Sequence, residues 1–588
     1  MKKFLYSFLG TIAGIWASVL IGFALLFVTI GVLAVSAGDS KTGVNVKDDS
    51  ILHIELSGVV VDRETPASLI DQIYGNSTET LNLNEVVDAI AAAKEDKRIK
   101  GIYLDCRGAS LGLAQAQAII KALEDFKASS KWVYSYADTY TQGDYYVASV
   151  SDSLFINPVG MIDIHGLSST TFYFKELLDK IGVEMQVVKV GTYKSAVEPF
   201  ILNEMSDANR EQQTVFLTNI WNAMRENMAK SRHITSAALD SIANNSVFAK
   251  GTEYYKAQRL IDGVKYSHQM KTMLADKTGK ADEPSLVSVS DYLTVAESPL
   301  KIKSKNTKNI AVLYALGDIT ESDPQGIASE RLVPVILKLA ENDDIDGLVL
   351  RVNSGGGSAY ASEQIWEAFE QFKSISKKPF YVSMSDVAAS GGYYISCGAN
   401  RIYAEPLTLT GSIGIFGMIP NFQPLMKDKL GVNTYTISTN RGGMPDLFEP
   451  MTQEQRDAMQ SYVNTGYELF VSRCAKGRKR TVDQIKSIAE GRVWDGQSAL
   501  KNGLVDKLGG LQDALSDMAA ELGADDYCIS EYPDIKLKWW EMLLDMDEDM
   551  EIKALNADLA AAGFCVTSLR SLRNMSPLQC RTDYIKLH

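Results

Sequence analysis

"IDGLVLRVNSGGGSAYASEQIWEAFEQFK", Ile345 to Lys373, answers "IKGIYLDCRGASLGLAQAQAIIKALEDFK", Ile99 to Lys127, position for position. In the later copy "GLVLRV" is a short continuous apolar run, as expected of a strand buried on both faces. A glycine loop follows, then a stretch with Ile365, Phe369 and Phe372 on one helical face. "KPFYVSMS" reads as the next strand. Repeated strand–turn–helix units of this kind build a largely parallel sheet with covering helices, so the fold class is α/β.

The correspondence runs on. "GDYYVASVSDSLFINP" (Gly143 to Pro158) parallels "GGYYISCGANRIYAEP" (Gly391 to Pro406), and "LLDKIGVE" (Leu177 to Glu184) parallels "MKDKLGVN" (Met426 to Asn433). Late in each half, "VFAKGTEYYKAQRLIDGV" (Val247 to Val264) answers "VWDGQSALKNGLVDKL" (Val493 to Leu508). A duplicated unit with this long period predicts two homologous domains. We divide the chain into residues 1–38, 48–290, a polar linker 291–308, 309–530 and a tail 531–588.

The N-terminal 38 residues are of another kind. No charge occurs from Phe4 to Gly38 in "FLYSFLGTIAGIWASVLIGFALLFVTIGVLAVSAG". Roughly 20 apolar residues span a bilayer, whereas a cleaved signal's apolar core runs to about 7–15, so this stretch reads as one transmembrane anchor. Lys2 and Lys3 before it place the N-terminus in the cytoplasm and the bulk of the chain across the membrane. The net charge of −14 argues against a nucleic-acid partner. Six scattered cysteines offer no C-x-x-C and no Cys/His metal spacing, so neither metal nor cofactor is expected. The sequence leaves open whether Cys565 and Cys580 pair.

The chemistry concentrates in two stretches, one in each half. "DVAASGGYYIS", Asp386 to Ser396, places Ser390 among alanines and glycines where a strand should turn into a helix. Its counterpart in the first half is near Gln142, which is no nucleophile. "VVKVGTYKSAVEPF", Val187 to Phe200, carries Lys194, and there the second half has Gly443 instead. A serine beside glycines is usually a turn or cap residue, and most lysines are solvated. Each half keeps one reactive group and lacks the other, which makes the pair informative. A serine and a lysine suffice for acyl transfer when the lysine is neutral, and apolar flanks such as Val188, Val190 and Val197 favour that. Glu198 is expected to point away from the lysine. "NSGGGS" (Asn353 to Ser358) supplies backbone N–H groups for an oxyanion, with Gly356 and Gly391 the expected donors.

These stretches resemble the two-repeat protease IV family of bacterial signal peptide peptidases, peptidase family S49. "GTYKSAVEPF" is similar to the family's lysine motif, "ASGGYYIS" to its serine motif and "TLTGSIGIFG" (Thr408 to Gly417) to the segment after it. The resemblance covers nearly the whole chain, the anchor included. It implies Ser390 as nucleophile, Lys194 as general base and Ser412 as the residue that orients the lysine. It also implies two Clp protease/crotonase-like domains and a homotetramer seated on the bacterial inner membrane, with its bulk in the periplasm. The implied substrates are remnant signal peptides and other unfolded apolar peptides. One departure stands out: the family commonly reads S-P-G-G-S after the strand, and here Gly355 replaces the proline, which would have stiffened the loop.

The remaining signals have plainer readings. His53, His165, His233, His268 and His588 show no triad context and read as structural or exposed. The S-x-x-K matches at Ser298 and Ser374 are at chance level for a chain this long. "WWEMLL" (Trp539 to Leu544) reads as a packing or subunit-contact segment and "KGRKR" (Lys476 to Arg480) as a solvated helix end. Two rival functions remain: a crotonase-like acyl-thioester hydrolase, which leaves the anchor unexplained, and an inactive peptide-binding scaffold, which leaves Ser390 and Lys194 unexplained.

Overall fold

The computed structural model describes residues 14, 21–22, 46–64, 79–280, 283–296, 307–323, 326–440, 442–524, 526–533 and 578–581. The expected anchor, Cys565 and the "WWEMLL" segment lie outside the described residues, apart from Gly14, Ile21 and Gly22 of the anchor. Among the described residues no helix is long and apolar enough to cross a membrane.

In the first half, β1 (Ser50–Leu56) leads to a small parallel ladder of β2 (Val59–Val61) and β3 (Thr80–Asn82). Then come β4 (Ile99–Cys106), β5 (Trp132–Ala137), β6 (Ser153–Ile156), β7 (Glu184–Val190), β8 (Gly263–Val264) and β9 (Leu286–Ser288). Six of them form one sheet in the order β8-β6-β5-β4-β1-β9, with every neighbouring pair parallel.

The second half begins with β10 (Thr307–Leu316), β11 (Ile319–Thr320), β12 (Ile327–Ala328), β13 (Gly347–Ser354) and β14 (Gly356–Ser358). It continues through β15 (Phe380–Ala389), β16 (Arg401–Ala404), β17 (Leu409–Gly411) and β18 (Ile415–Asn421). The last strands are β19 (Val493–Asp495), β20 (Lys507–Leu508), β21 (Asp526–Tyr532) and β22 (Leu578–Arg581). Its main parallel sheet has the order β20-β16-β15-β13-β10-β21, the same path as in the first half. β17 extends beside β15 and takes β19 as an antiparallel edge. The duplication read in the sequence is thus a duplication of sheet topology.

Local chemistry explains the repeated unit. β13 is buried along nearly its whole length. The helix that follows, Ala359–Ser376, starts where Ser358 Oγ accepts the Ala361 N–H and ends at Lys377 in the left-handed region. Its Ile365, Phe369 and Phe372 are buried, and Phe369 stacks on Phe380 of β15 at 4.4 Å. The helix is therefore anchored directly over the strand that delivers Ser390.

A third sheet joins the halves, in the order β12-β11-β14-β22-β18-β7. β7, from the first half, pairs antiparallel with β18 of the second over seven residue pairs, from Ile415–Val190 to Asn421–Glu184. The cores interpenetrate as well. Val188 of β7 belongs to the second half's core, while Leu407 and Leu409 belong to the first half's. Burying such a side chain is worth about 1.5–3 kcal/mol, so the contact holds one arrangement of the halves. Polar ties add direction: Asp386 accepts the N–H groups of Ala114 and Gln115 at the start of the helix Leu113–Lys127.

Several carboxyls inside this fold hold protons unusually well. Burial pushes Asp88 and Glu405 up to about 7, and Asp144 and Asp386 up to about 6, Asp386 with added repulsion from Asp62. The folded chain therefore binds protons that the unfolded chain releases between roughly pH 4 and 7, and stability falls as pH rises through that window. Urea midpoints are expected to be higher at about pH 5 than at about pH 7.5; the reverse order would contradict this assignment.

Candidate active site

The strand β15 ends at Ala389, and the helix Gly391–Ser396 begins one residue later. Ser390 fills the gap with φ 57° and ψ −114°, outside the regions an L-residue normally occupies. Two backbone bonds hold it there. The Ser390 N–H donates to the Gly411 carbonyl at 2.8 Å, and the Ser390 carbonyl accepts the Tyr394 N–H at 2.8 Å. A strained elbow between strand and helix points its side chain off the end of the sheet.

Lys194 reaches the same point from the other half. β7 is zipped to β18 as far as Val190, and the Tyr193 N–H donates to the Glu490 carbonyl at 2.9 Å. The lysine that follows is only 1% exposed. Its Nζ lies 2.7 Å from Ser390 Oγ, 3.1 Å from Ser412 Oγ and 3.4 Å from the Ser412 carbonyl. Ser390 and Ser412 are 0% and 1% exposed. The three side chains named from the sequence thus meet in one buried cluster, within one chain. Glu198 is itself buried, and its carboxylate accepts Ser206 Oγ at 2.5 Å and Asn209 Nδ2 at 3.0 Å, at the start of the helix Asp207–Ser231.

The oxyanion side differs from expectation at one residue. The Gly356 N–H donates to Ser354 Oγ at 3.1 Å, so an oxyanion at that donor must displace the hydroxyl. Gly391 opens its helix, and its N–H has no carbonyl four residues back within that helix to bind. The loop that lacks the family's proline is held by pairing instead: Gly357 sits opposite Ile319 of β11 and Cys580 of β22. A Cβ at Gly357 would fall 2.0 Å from the Ile319 carbonyl oxygen, so only glycine fits.

Sequence reasoning missed two glycines that shape the lysine's berth. A Cβ on Gly491, at φ +78°, would lie 2.7 Å from the backbone N and Cβ of Lys194, and one on Gly414 would lie 3.3 Å from its Cδ. The available signal was the repeat comparison, which sets Asn245 opposite Gly491, in the half whose counterpart site has no lysine to pack. Gly491→Ala is expected to shift Lys194 and cost about 10²-fold in kcat, and its positive φ and clash with the lysine backbone lower thermal stability as well. Unchanged kcat would remove Gly491 from the site.

The first half has sealed its equivalent position. Gln142, 8% exposed, accepts the N–H groups of His165 and Gly166 at 2.9 Å and donates to the Gly166 carbonyl at 2.8 Å. The amide ties itself to the counterpart of Gly414 and leaves no nucleophile there. Elsewhere, His53, Glu55 and Asp105 form the one grouping with metal-ligand spacing among the described residues. Arg107 pairs with both of its carboxylates, which offsets one of the two negative charges that would attract a cation.

Comparison with known proteins points the same way. A profile of peptidase family S49 matches residues 125–280 and 372–525, one match in each half. Protease 4 of Haemophilus influenzae is 35% identical over 517 residues, covering 85% of this chain and 83% of that protein. Protease 4 of Salmonella typhi is 34% identical over 533 residues, 87% of this chain and 83% of that one. The chloroplastic serine protease SPPA of Arabidopsis thaliana is 30% identical over 483 residues, 80% and 69% of the two chains.

Proposed function

Since the chain belongs to peptidase family S49, we propose that it is a membrane-anchored serine endopeptidase whose Ser390–Lys194 dyad degrades cleaved signal peptides and other unfolded apolar peptides. The observation that carries this reading is the 2.7 Å approach of a buried lysine amine to a serine hydroxyl on a strained strand–helix elbow. In the proposed cycle Ser390 Oγ attacks the peptide carbonyl while the neutral Lys194 amine takes its proton. The Gly391 N–H holds the oxyanion, joined by Gly356 once its bond to Ser354 opens. The lysine then protonates the leaving amine, and water, deprotonated by the same amine, releases the acyl-enzyme. A lysine in water is protonated at neutral pH, so the active form is the neutral amine, and removal from water favours that form of any ammonium. Ser412 Oγ and its carbonyl supply two further partners that aim Nζ at Ser390.

Anchoring in the bacterial inner membrane is supported by the uncharged stretch over residues 4–38 and by the relatedness to bacterial Protease 4. Assembly as a homotetramer is supported by exposed apolar side chains in the two stretches that answer β18 and β7: Phe172 in the first half is 71% exposed, and Tyr435 and Ile437 in the second are 90% and 87% exposed. They lie in the repeat counterparts of β18 and β7, so the pairing that joins the halves within a chain has a candidate equivalent between chains. A monomer by sedimentation equilibrium in detergent would overturn that assembly. The decisive test of function offers a synthetic signal peptide and an acyl thioester to the full chain. Cleavage of the peptide supports the proposal, and turnover of the thioester alone would replace it with crotonase-like chemistry. Peptide binding without turnover of either would favour the inactive scaffold.

A further inference from the structure

Away from the dyad, the two halves differ again where β6 and β8 begin. A cleft of about 430 Å³ opens there in the first half. Gln142, the counterpart of Ser390, follows the end of β5, so the cleft stands at the opposite end of the sheet from that position. Four cations, Lys127, Arg232, Lys256 and Arg259, line it against two carboxylates, Asp152 and Asp262. Both carboxylates already serve the strands: Asp152 Oδ2 accepts the Val133 N–H at 2.8 Å, and Asp262 Oδ2 accepts the Leu154 N–H at 2.8 Å. Lys127 pairs with Asp152 at 3.0 Å and Arg232 with Asp262 at 3.0 Å. The positive charge in excess therefore belongs to Lys256 and Arg259, both exposed, with His233 beside them. Ser151, 4% exposed, brings a hydroxyl that has no hydrogen-bond partner among the described residues.

The second half repeats the structural ties of this corner. Asn400 accepts the Phe380 N–H, Asp506 accepts the Ile402 N–H, and Arg478 pairs with Asp506. Asp152 stands where that half has Asn400, and Lys127 meets its added charge. The other exchanges all add donors: Ser151, Ser231, Lys256 and Arg259 replace Ala399, Gly477, Leu500 and Gly503. Arg259 even takes φ 60°, a left-handed position that Gly503 fills at φ 72° without strain. The Arg480 guanidinium covers Gly503, 3.0 Å from where a Cβ would stand, whereas the first half has Ile234 in place of that arginine and keeps a cleft.

We propose that this cleft is a binding site for a small phosphate-bearing anion, present in the first half and lost from the second. Ammonium and guanidinium donors beside two serine hydroxyls match the oxygens of a phosphate group. Ile261 is the apolar side chain among those lining the cleft, so the ligand is a polar phosphate ester or the headgroup of an anionic lipid, and not an acyl chain.

The test titrates inorganic phosphate and, separately, dihexanoyl phosphatidylglycerol into the full chain in a phosphorus-free detergent, followed by isothermal titration calorimetry. Salt at about 0.15 M screens loose surface attraction beyond about 8 Å. Saturable binding of at least one probe is expected, with Kd about millimolar or tighter. Lys256→Leu/Arg259→Gly installs the second half's own residues and is expected to weaken that binding about tenfold or more. Ser151→Ala is expected to weaken it about threefold. Urea midpoints close to wild type show that a variant is folded, and if the double variant fails to fold, Ser151→Ala decides. Lipid binding about tenfold tighter than phosphate binding assigns a lipid headgroup as the ligand, and equal affinities assign a free phosphate compound. No saturable binding of either probe by wild type, or wild-type affinity in the folded variants, would overturn the proposal.

Discussion

Ser390→Ala is expected to lower peptide hydrolysis on the order of 10⁴-fold or more, and Lys194→Met to do nearly the same. The two losses should not add, because each group is useless without the other. Methionine suits the lysine position because the side chain is fully enclosed and alanine would leave a cavity there. Ser412→Ala is expected to cost far less, since Nζ keeps Ser390 Oγ and the Ser412 carbonyl as partners. The pH profile should separate the roles: the wild-type rate rises as the amine loses its proton, and residual Lys194→Met activity lacks that rise. Retention of activity within about tenfold in either primary variant would exclude the dyad.

The second large effect is on stability. Asp62 and Arg351 are 3% exposed each, one from either half, and their side chains meet at 2.8 Å. Asp62 also accepts Ser385 Oγ at 2.7 Å and Asn353 Nδ2 at 3.0 Å, while Arg351 donates to Ser383 Oγ at 2.9 Å. Removing one partner strands the other charge away from water. Arg351→Ala is expected to cost about 3–5 kcal/mol, read as a lower urea midpoint. The double variant Asp62→Ala/Arg351→Ala should recover part of that loss, because no lone charge is left. A loss under about 1 kcal/mol in Arg351→Ala would mean that water reaches the pair. Since Arg351 braces β13 against β15, activity should fall with stability.

Much of this molecule could be read without coordinates. A continuous apolar run and a period of 3.6 placed β13 and its helix, because a strand buried on both faces and a helix buried on one leave distinct apolar patterns. Self-comparison revealed two like domains, and the mismatch between them singled out Ser390 and Lys194. Gly491 stayed hidden because a glycine gains meaning from what stands 3 Å away, and its neighbour is nearly 300 positions earlier. The engagement of the Gly356 N–H by Ser354 was hidden for a like reason: loop composition does not say where an N–H points. The β22 strand was also out of reach, as four residues near the chain end carry too little pattern to name a partner.

By itself, then, the sequence determined the elements, their duplication and the two reactive residue types, since these depend on interactions close along the chain or on comparison of like with like. The tertiary structure decided that the two residues form one site. Lys194 and Ser390 stand 196 positions apart, and nothing local draws them together. The seven-pair ladder of β7 on β18, the exchange of Val188 for Leu407 and Leu409 between cores, and the Asp62–Arg351 pair hold one half against the other. Those contacts close only in the folded chain, where burial and backbone pairing repay the entropy of bringing distant segments together.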